Sequence, residues 1–576
     1  MAQTLNNRQI ADVFDTIADM LQLKGEIIHR ILAYRRVAET IRELPRDLRA
    51  LAAEDKLNEI DGVGKVLAEK ISELLETGEL RFYHELAQEI PPGLVEVLRV
   101  NGVGPKKAML FYKELGIASI PALEAAAQAG KLRNLSGMGS KSEAKILESI
   151  TALARRTNRV RLDTAWAAAE KLLRPLLQLP GVIQGDIAGS VRRGKSTIGD
   201  IDLLIASYQP LPIMEAFVHH PDVTRILGQG ETKSSVELEN GLQCDLRVVP
   251  PERYGTALSY FTGSKDHNTR LRERARDRGL SLNEWAFIPL EGGAEVLCAS
   301  EPEVYAQLGL PWIPPELRED RGEIDLAAQG ILPRLIEIKD IRADLHMHTT
   351  WSDGKLSVRD MAWIAREHGL SYIVISDHSQ SLGVANGLSV ERLRAQREEI
   401  RAVDAEFAPS LRVFQGVEME IRADGSLDYG DDVLEWLDVV IASLHSGLRQ
   451  PREQVTARLL NAIRNPHVDI IGHPRGQMIP DREPADLDMD AVFGAAREHD
   501  TALEINASPY RLDLDDAHAR RAAEMGIKIA VNTDSHNGDG FTALRYGIMT
   551  ARRAGLRPEE VINTWSVESF LAWLRQ

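Results

Sequence analysis

Two groups of side chains in this 576-residue chain have the types and spacing to do chemistry. In the first, Gly189-Ser190-Val191-Arg192-Arg193-Gly194 precedes Asp200-Ile201-Asp202. A strand sends alternate side chains to one face, so Asp200 and Asp202 present their carboxylates to the same side. Asp245, near the start of another apolar run (244–249), could complete a three-carboxylate cage. Such a cage suits paired Mg²⁺, which takes oxygen ligands and leaves room for substrate phosphates. Two such ions can stabilise both the attacking and the leaving oxygen of an in-line displacement. Ser190 and Arg193 offer a hydroxyl and a guanidinium to a triphosphate. A DxD pair by itself is usually a solvated turn.

The second group lies beyond residue 340: Asp344-Leu345-His346-Met347-His348, Asp353, Asp377-His378, Glu418, His445, His473 and Asp534-Ser535-His536. An isolated histidine is usually a surface or hydrogen-bonded core residue. Here six of seven candidate strands end in His, Glu or Asp. Mixed imidazole and carboxylate ligands suit zinc, manganese or iron rather than magnesium alone.

The elements that must position these groups differ along the chain. Residues 8–155 read as short amphipathic helices, for example 10–23, 26–42 and 66–75, separated by Gly-containing turns. Three of the turns repeat: Ile60-Asp61-Gly62-Val63-Gly64-Lys65, Val100-Asn101-Gly102-Val103-Gly104-Pro105 and Leu135-Ser136-Gly137-Met138-Gly139-Ser140. Two glycines around one apolar residue let backbone N–H groups approach a phosphate, and the helix that follows turns its positive end to it. One such turn is ordinary; three within 80 residues point to helix-hairpin-helix units that grip a DNA backbone without reading its sequence. Gly62, Gly64, Gly102 and Gly104 are the residues expected at the phosphates.

Strands follow at 182–188, 201–206 and 244–249, then mixed short elements over 256–320. The proline- and charge-rich stretch 311–329 reads as a linker. Beyond it, candidate strands at 343–346, 372–376, 412–418, 439–444, 469–472, 502–506 and 528–532 alternate with helical stretches. Repeated βα units closing into a barrel explain this order and bring the strand ends together on one face. An open doubly wound sheet has the same periodicity.

Composition excludes some classes. With 44% hydrophobic residues and no apolar run of about 18, the chain lacks both the disordered and the membrane-spanning signatures. Two cysteines, Cys244 and Cys298, cannot build a disulfide framework, and no secretory leader is evident, so a reduced, cytoplasmic setting is expected. The net charge of −17 is uneven: residues 1–339 carry 43 basic against 48 acidic side chains, and the remainder 26 against 38. Twelve of the seventeen negative charges therefore fall in the region of the second cluster, as several bound cations would require.

The motif GSVRRGKSTIGDID is that of the nucleotidyltransferase superfamily, whose members include enzymes adding nucleotides to RNA ends. Tyr260-Phe261-Thr262-Gly263-Ser264, with Asn268 and Arg272, narrows the match: up to about residue 320 the chain resembles the family X DNA polymerases. The resemblance implies that Gly189, Ser190 and Arg193 contact the incoming triphosphate, with Gly263 and Ser264 in the nucleotide site. Asp200 and Asp202 hold two Mg²⁺ and Asp245 joins the catalytic one. It places Tyr260 and Phe261 at the sugar, Asn268 at the base edge and Arg272 at the template. Lys265 and His267 depart from the polymerase beta pattern. Lys70 matches a lyase lysine that forms a Schiff base with a 5′-deoxyribose phosphate, and His29 and Tyr34 match too, but Arg30 replaces a familiar lysine.

Residues 339–576 resemble the PHP (polymerase and histidinol phosphatase) domain, a distorted barrel of seven strands with up to nine ligands around three metals. All nine positions can be read: His346, His348, Asp353, His378, Glu418, His445, His473, Asp534 and His536, with Glu418 as bridging ligand. The implied activity is Mn²⁺- or Zn²⁺-dependent trimming of DNA 3′ ends; a small-molecule phosphatase or a purely structural domain is the alternative.

The fold class expected is thus multidomain: an all-α helix-hairpin-helix region, an α+β nucleotidyltransferase palm with a small thumb-like subdomain, and a distorted (β/α)7 barrel. The expected boundaries are 1–90, a helical DNA-end domain; 91–155, a helical DNA-binding subdomain; 156–255, the palm; 256–318, the thumb-like part; 319–338, the linker; and 339–576, the barrel. The expected partners are gapped or nicked duplex DNA and dNTPs, bound by a monomer with no membrane contact.

Overall fold

In the computed structural model, which describes residues 7–43, 48–60, 62–98, 100, 102–157 and 159–574, the chain separates into two units, Met1–Asn158 and Arg159–Gln576. The first is all helical. Apolar residues at helical spacing, Ile10, Phe14, Ile17 and Leu21 on Asn7–Lys24 and Tyr34, Val37 and Ile41 on Ile28–Glu43, build its core with Phe111 and Leu123.

The three GxG turns share one local design. Gly62, Gly102 and Gly137 take φ of +80°, +88° and +74°, a region open mainly to glycine. Gly64, Gly104 and Gly139 immediately precede helices Lys65–Thr77, Pro105–Leu115 and Ser140–Thr157. Val63 and Val103 are buried while Gly62, Gly64, Gly102 and Gly104 are exposed, so the apolar residue anchors each turn and the glycines face outward. Asp61 and Asn101 of these motifs lie outside the described residues.

The second unit begins with a five-stranded sheet in the order Val182–Ile187, Asp200–Ser207, Gln243–Val249, Lys233–Leu238, Val223–Gln229. Its two central strands, Asp200–Ser207 and Gln243–Val249, run parallel, with Asp202 directly beside Asp245. Helix Tyr254–Thr262 packs Tyr254, Ala257 and Leu258 against Leu204, Ala206 and Val249 of this sheet, and helices Lys265–Arg276 and Glu301–Gln307 follow around a core of Leu271, Phe287, Val304 and Tyr305. The segment expected as a linker is built into this core: Ile324 and Ala327 of helix Glu323–Ala328, and Leu335 beyond it, pack there. Proline and charge density suggested an unpacked connection, but the apolar residues between the charges are buried.

Seven parallel strands then run in sequential order: Ala343–Asp344, Tyr372–Ile375, Arg412–Glu420, Val439–Ser443, Ile470–Ile471, Ala502–Asn506 and Ile529–Asn532. A bridge between Met347 and Ser535 joins first to last. Asn563, fully buried, stitches the seam: it donates to Ala343 O (3.1 Å) and Asn532 Oδ1 (2.9 Å) and accepts from Val531 N (2.7 Å). The strands thus form a (β/α)7 barrel rather than an open doubly wound sheet. Alternate residues (Ala343, Val374, Phe414, Ile441, Ala530) share one cluster with Phe570 and Trp573 of the C-terminal helix Val567–Trp573. Both cysteines are free and buried, and among the described residues no helix is long and apolar enough to cross a membrane.

Candidate active sites

Asp200 opens its strand and Asp202 follows two residues on, so both project from one face, and parallel register adds Asp245. Burial, together with the charges of Asp200 and Asp245, pushes the Asp202 carboxyl up to about 7. Three carboxylates forced together at such a cost are what a divalent cation relieves. Gly189, at φ +61°, lies against this group: a Cβ there would stand 2.3 Å from Asp202 Oδ2. The Ser190 hydroxyl oxygen is buried with no hydrogen-bond partner, as a phosphate ligand awaiting its phosphate would be. Arg193 donates from Nε to Glu319 (3.0 Å) and from Nη1 to the Thr262 carbonyl.

The residues expected at the incoming nucleotide lie near one another. Tyr260, Asn268 and Arg272 line one small pocket, with the Asn268 amide donating to the Tyr260 carbonyl (2.7 Å). The rings of Tyr260 and Phe261 meet edge to face, 5.1 Å apart. Gly263 ends one helix at φ +71°, and Ser264 caps the next by accepting from His267 N (3.3 Å). His267, one of the departures from the polymerase beta pattern, is a buried core tie between Glu323 (2.6 Å) and Tyr305 (2.9 Å). Lys265 is exposed.

In the helical unit, Lys70 Nζ sits 4.0 Å over the Phe82 ring, against which Tyr34 also stacks. Burial lowers the Lys70 ammonium, partly opposed by Glu73 and Glu85. His29 is exposed, and the Arg30 guanidinium carbon lies 5.6 Å from the Phe82 centroid.

In the barrel, the strand ends bring a dense cluster together. His348, Asp353, His378 and His536 place ligand atoms within 4.8 Å of one another; so do His346, His348 and Asp534, and so do His378, Glu418 and His445. Glu418 is at the centre, 3.3 Å from His346, 3.4 Å from His348, 2.9 Å from His378, 3.2 Å from His445 and 2.9 Å from His473. Yet His346 Nε2, His348 Nδ1, His378 Nδ1, His473 Nδ1 and Glu418 Oε2 are buried with no hydrogen bond. Of these, His346 Nε2 and His378 Nδ1 converge on Glu418 Oε2 without hydrogen-bond geometry, which fits a shared cation, whereas the Nε2 atoms of His348 and His473 bond to Asp534 and Glu418. His473 (φ +26°) and Asp534 (φ +53°) hold strained backbone positions that the surrounding fold must enforce.

Electrostatics sort the rings. Burial and the neighbouring His378 and His536 push His348 down to about 4. Burial works against the His445 imidazolium too, but Glu418 and Glu420 outweigh it and raise that ring to about 10. Glu418 and Asp534 lie well below the usual carboxylate range, because the surrounding imidazoles overcome their burial. Asp353 and His536, with side chains 20% and 35% exposed, are the most open of the set and mark its mouth.

Several residues at this site were not singled out by sequence reasoning. Glu504 accepts from His346 Nδ1 (2.8 Å) and Glu420 from His445 Nδ1 (2.7 Å), which fixes both rings. Arg511 Nε lies 3.5 Å from Asp534, and its Nη1 is buried with no partner. The visible signal for Glu504 is a lone acid inside the apolar strand Ala502–Asn506. Two acids of the candidate stretches do structural work instead. Asp377 accepts from Thr349, Ser352 and Gln396, and Asp344 from Thr533.

A helical DNA-binding unit, a carboxylate-bearing palm with its thumb, and a histidine-rich barrel together define a nucleotidyltransferase joined to a metal-dependent phosphoesterase. Residues 257–319 match the family model for the DNA polymerase beta thumb, 5–80 a helix-hairpin-helix domain and 94–151 a SAM-like helix-hairpin-helix tandem. The chain is 39% identical to the DNA polymerase/3'-5' exonuclease PolX of Bacillus subtilis (strain 168), over 99% of this chain and 100% of that protein. It is 26% identical to DNA polymerase lambda of Rattus norvegicus, over 54% of this chain and 56% of that one. Over 38% of the chain it is 32% identical to a protein of Thermoanaerobacter sp. (strain X514) named as a phosphatase, of which 89% is covered. The chain belongs to the family X DNA polymerases, in the bacterial branch that carries a C-terminal PHP domain.

Proposed function

We propose that the protein fills short gaps in duplex DNA by template-directed nucleotidyl transfer and trims DNA 3′ ends at its barrel. The observation that carries this reading is the presence of two separate clusters of candidate ligands in one unit, three carboxylates on adjacent strands and eight side chains gathered with Glu418. When bound, Mg²⁺ at the first would polarise the transferred phosphate, and Mn²⁺ or Zn²⁺, up to three ions, at the second would activate a water.

At the palm, Asp200 and Asp202 would hold both ions and Asp245 would join them at the catalytic one, beside the primer 3′-OH. Gly189, Ser190 and Arg193 receive the triphosphate, with Gly263 and Ser264 bordering it. Tyr260 and Phe261 pack on the sugar and Asn268 meets the base edge, while Arg272 reaches the template. Gly62, Gly64, Gly102 and Gly104 hold DNA phosphates at the turns. In the barrel, His346, His348, Asp353, His378, Glu418, His445, His473, Asp534 and His536 would be the ligands, Glu504 and Glu420 orient two of the rings, and Arg511 would steady the scissile phosphate.

The reading takes 1–90 and 91–155 as the DNA-gripping parts, 156–255 as palm, 256–318 as thumb and 339–576 as the barrel, with 319–338 packed into the thumb core on the way to the barrel. Lys70, desolvated against Phe82, forms a Schiff base with a 5′-deoxyribose phosphate. A cytoplasmic monomer acting on gapped or nicked DNA and dNTPs completes it. The phosphatase-named relative favours a second reading for the barrel alone, hydrolysis of small phosphate esters.

The test supplies a one-nucleotide gap with dNTPs and Mg²⁺, and separately a 3′-labelled primer with Mn²⁺. Template-matched extension and stepwise shortening are expected. Untemplated addition would replace the polymerase reading, and phosphate release from a small monoester with no shortening would replace the exonuclease one.

A further inference from the structure

The loop that carries Arg193 is packed against the barrel. Gly194, at φ +69°, lies close against it: a Cβ would stand 3.0 Å from Met549 Cε and 3.2 Å from Met549 Cβ. Met549 belongs to the barrel helix Leu544–Ala554, and one turn further along the same helix is Arg553, only 3% exposed.

Arg553 holds Arg193 at both ends. Its Nη1 donates to the Arg193 carbonyl (2.7 Å) and to Glu319 Oε1 (2.9 Å). The same Glu319 oxygen accepts from Arg193 Nε (3.0 Å), and Lys195 approaches the other oxygen at 3.4 Å. Arg553 is fixed in turn by the barrel, through Nη2 to Asp516 Oδ2 (3.0 Å), an oxygen it shares with Arg321 (2.9 Å). A chain of directed bonds therefore runs from the barrel into the loop expected to receive the triphosphate, between residues 360 positions apart in sequence.

We infer that Arg553, a residue of the phosphoesterase barrel, is a positioning residue for nucleotide binding at the polymerase site, acting through Glu319 and Arg193. The inference rests on the reading of Arg193 as a triphosphate ligand. Glu319 is one carboxylate shared by three cations. Arg553 takes part of its charge, so Arg193 is held in place without being fully neutralised. Without Arg553, Glu319 engages Arg193 and Lys195 more strongly, and the Arg193 carbonyl loses its donor. Both changes draw the guanidinium away from a phosphate. The polymerase would then lose dNTP affinity through a substitution in a different domain.

The experiment is gap filling by the full chain across a dNTP titration, comparing Arg553→Ala, Arg553→Lys, Arg193→Ala and the Arg193→Ala/Arg553→Ala double variant. Mn²⁺-dependent 3′ shortening serves as the folding control. Arg553→Ala should raise the dNTP KM about three- to tenfold with kcat nearly unchanged, as expected for residues coupled by direct contact. Arg553→Lys should recover most of the loss, and Arg553→Ala should add nothing once Arg193 is gone.

An unchanged KM in Arg553→Ala, or the same rise with and without Arg193, overturns the inference. If Arg193→Ala raises KM and Arg553→Ala does not, only this inference falls. If Arg193→Ala itself leaves KM unchanged, the nucleotide-site reading falls and takes the inference with it. Should Arg553→Ala also lose 3′ shortening, Glu319→Gln tests the link from the other side. It frees Arg193 and lowers KM, and an unchanged KM there is again a refutation.

Discussion

Replacing Asp202 with asparagine keeps the side-chain shape and removes one of three crowded charges. In the folded protein the carboxyl is pushed from 3.8 to about 7 by burial and by Asp200 and Asp245. A group whose folded pKa is raised gives its full stabilisation only below its unfolded pKa and loses it as pH rises through the folded one. Ionising Asp202 in the metal-free protein therefore costs stability progressively from about pH 4 to above 7. A rise from 3.8 to about 7 corresponds to about 4 kcal/mol at pH 8, and roughly half of that near pH 5.5.

In EDTA at pH 8, Asp202→Asn should therefore melt a few degrees above the parent protein, with a smaller gain at pH 5.5 and none near pH 4. Adding Mg²⁺ should reverse the order, because the parent binds the ion and the variant has lost a ligand. Thermal melts at the three pH values, with and without Mg²⁺, measure this directly. A variant less stable than the parent in EDTA by the same margin at every pH would refute the argument. It would show that Asp202 packs as an ordinary side chain rather than as a member of a repelling trio.

Three further outcomes follow from the geometry. Gly189→Ala places a methyl 2.3 Å from Asp202 Oδ2 at positive φ, so gap filling should fall at least a hundredfold while 3′ shortening persists; equal loss of both would contradict separate sites. Glu504→Gln weakens the orientation of His346, and the Mn²⁺ concentration needed for half-maximal shortening should rise about 10- to 100-fold; an unchanged requirement would remove Glu504 from the site. Lys70→Ala should abolish borohydride trapping to a 5′-deoxyribose phosphate end without changing extension, and persistent trapping would assign the Schiff base to another amine.

Much of the barrel could be read from the sequence because its order is local. Each strand is a short apolar run, and the side chain that ends it falls where parallel strands converge. The strand pair carrying Asp202 and Asp245 is different. Alternation puts Asp200 and Asp202 on one face, but only the parallel register of two strands some forty residues apart sets Asp245 beside Asp202. Residues whose partners are distant gave no local sign. Asn563 closes the barrel seam, and Glu319 joins Arg193 to Arg553; neither pattern has a period or a motif. The 319–338 segment was obscured for a related reason. Its charges cluster at the start and interrupt the apolar pattern, yet Ile324, Ala327 and Leu335 pack into the thumb core.

The most direct measurement follows one 3′-labelled primer on a one-nucleotide gap, with dNTPs and without, for the parent chain, Asp200→Ala and Asp534→Ala. The account predicts that Asp200→Ala shortens the primer but cannot extend it, and that Asp534→Ala extends it but cannot shorten it. Either substitution abolishing both reactions in a protein that still melts cooperatively would contradict two independent metal centres.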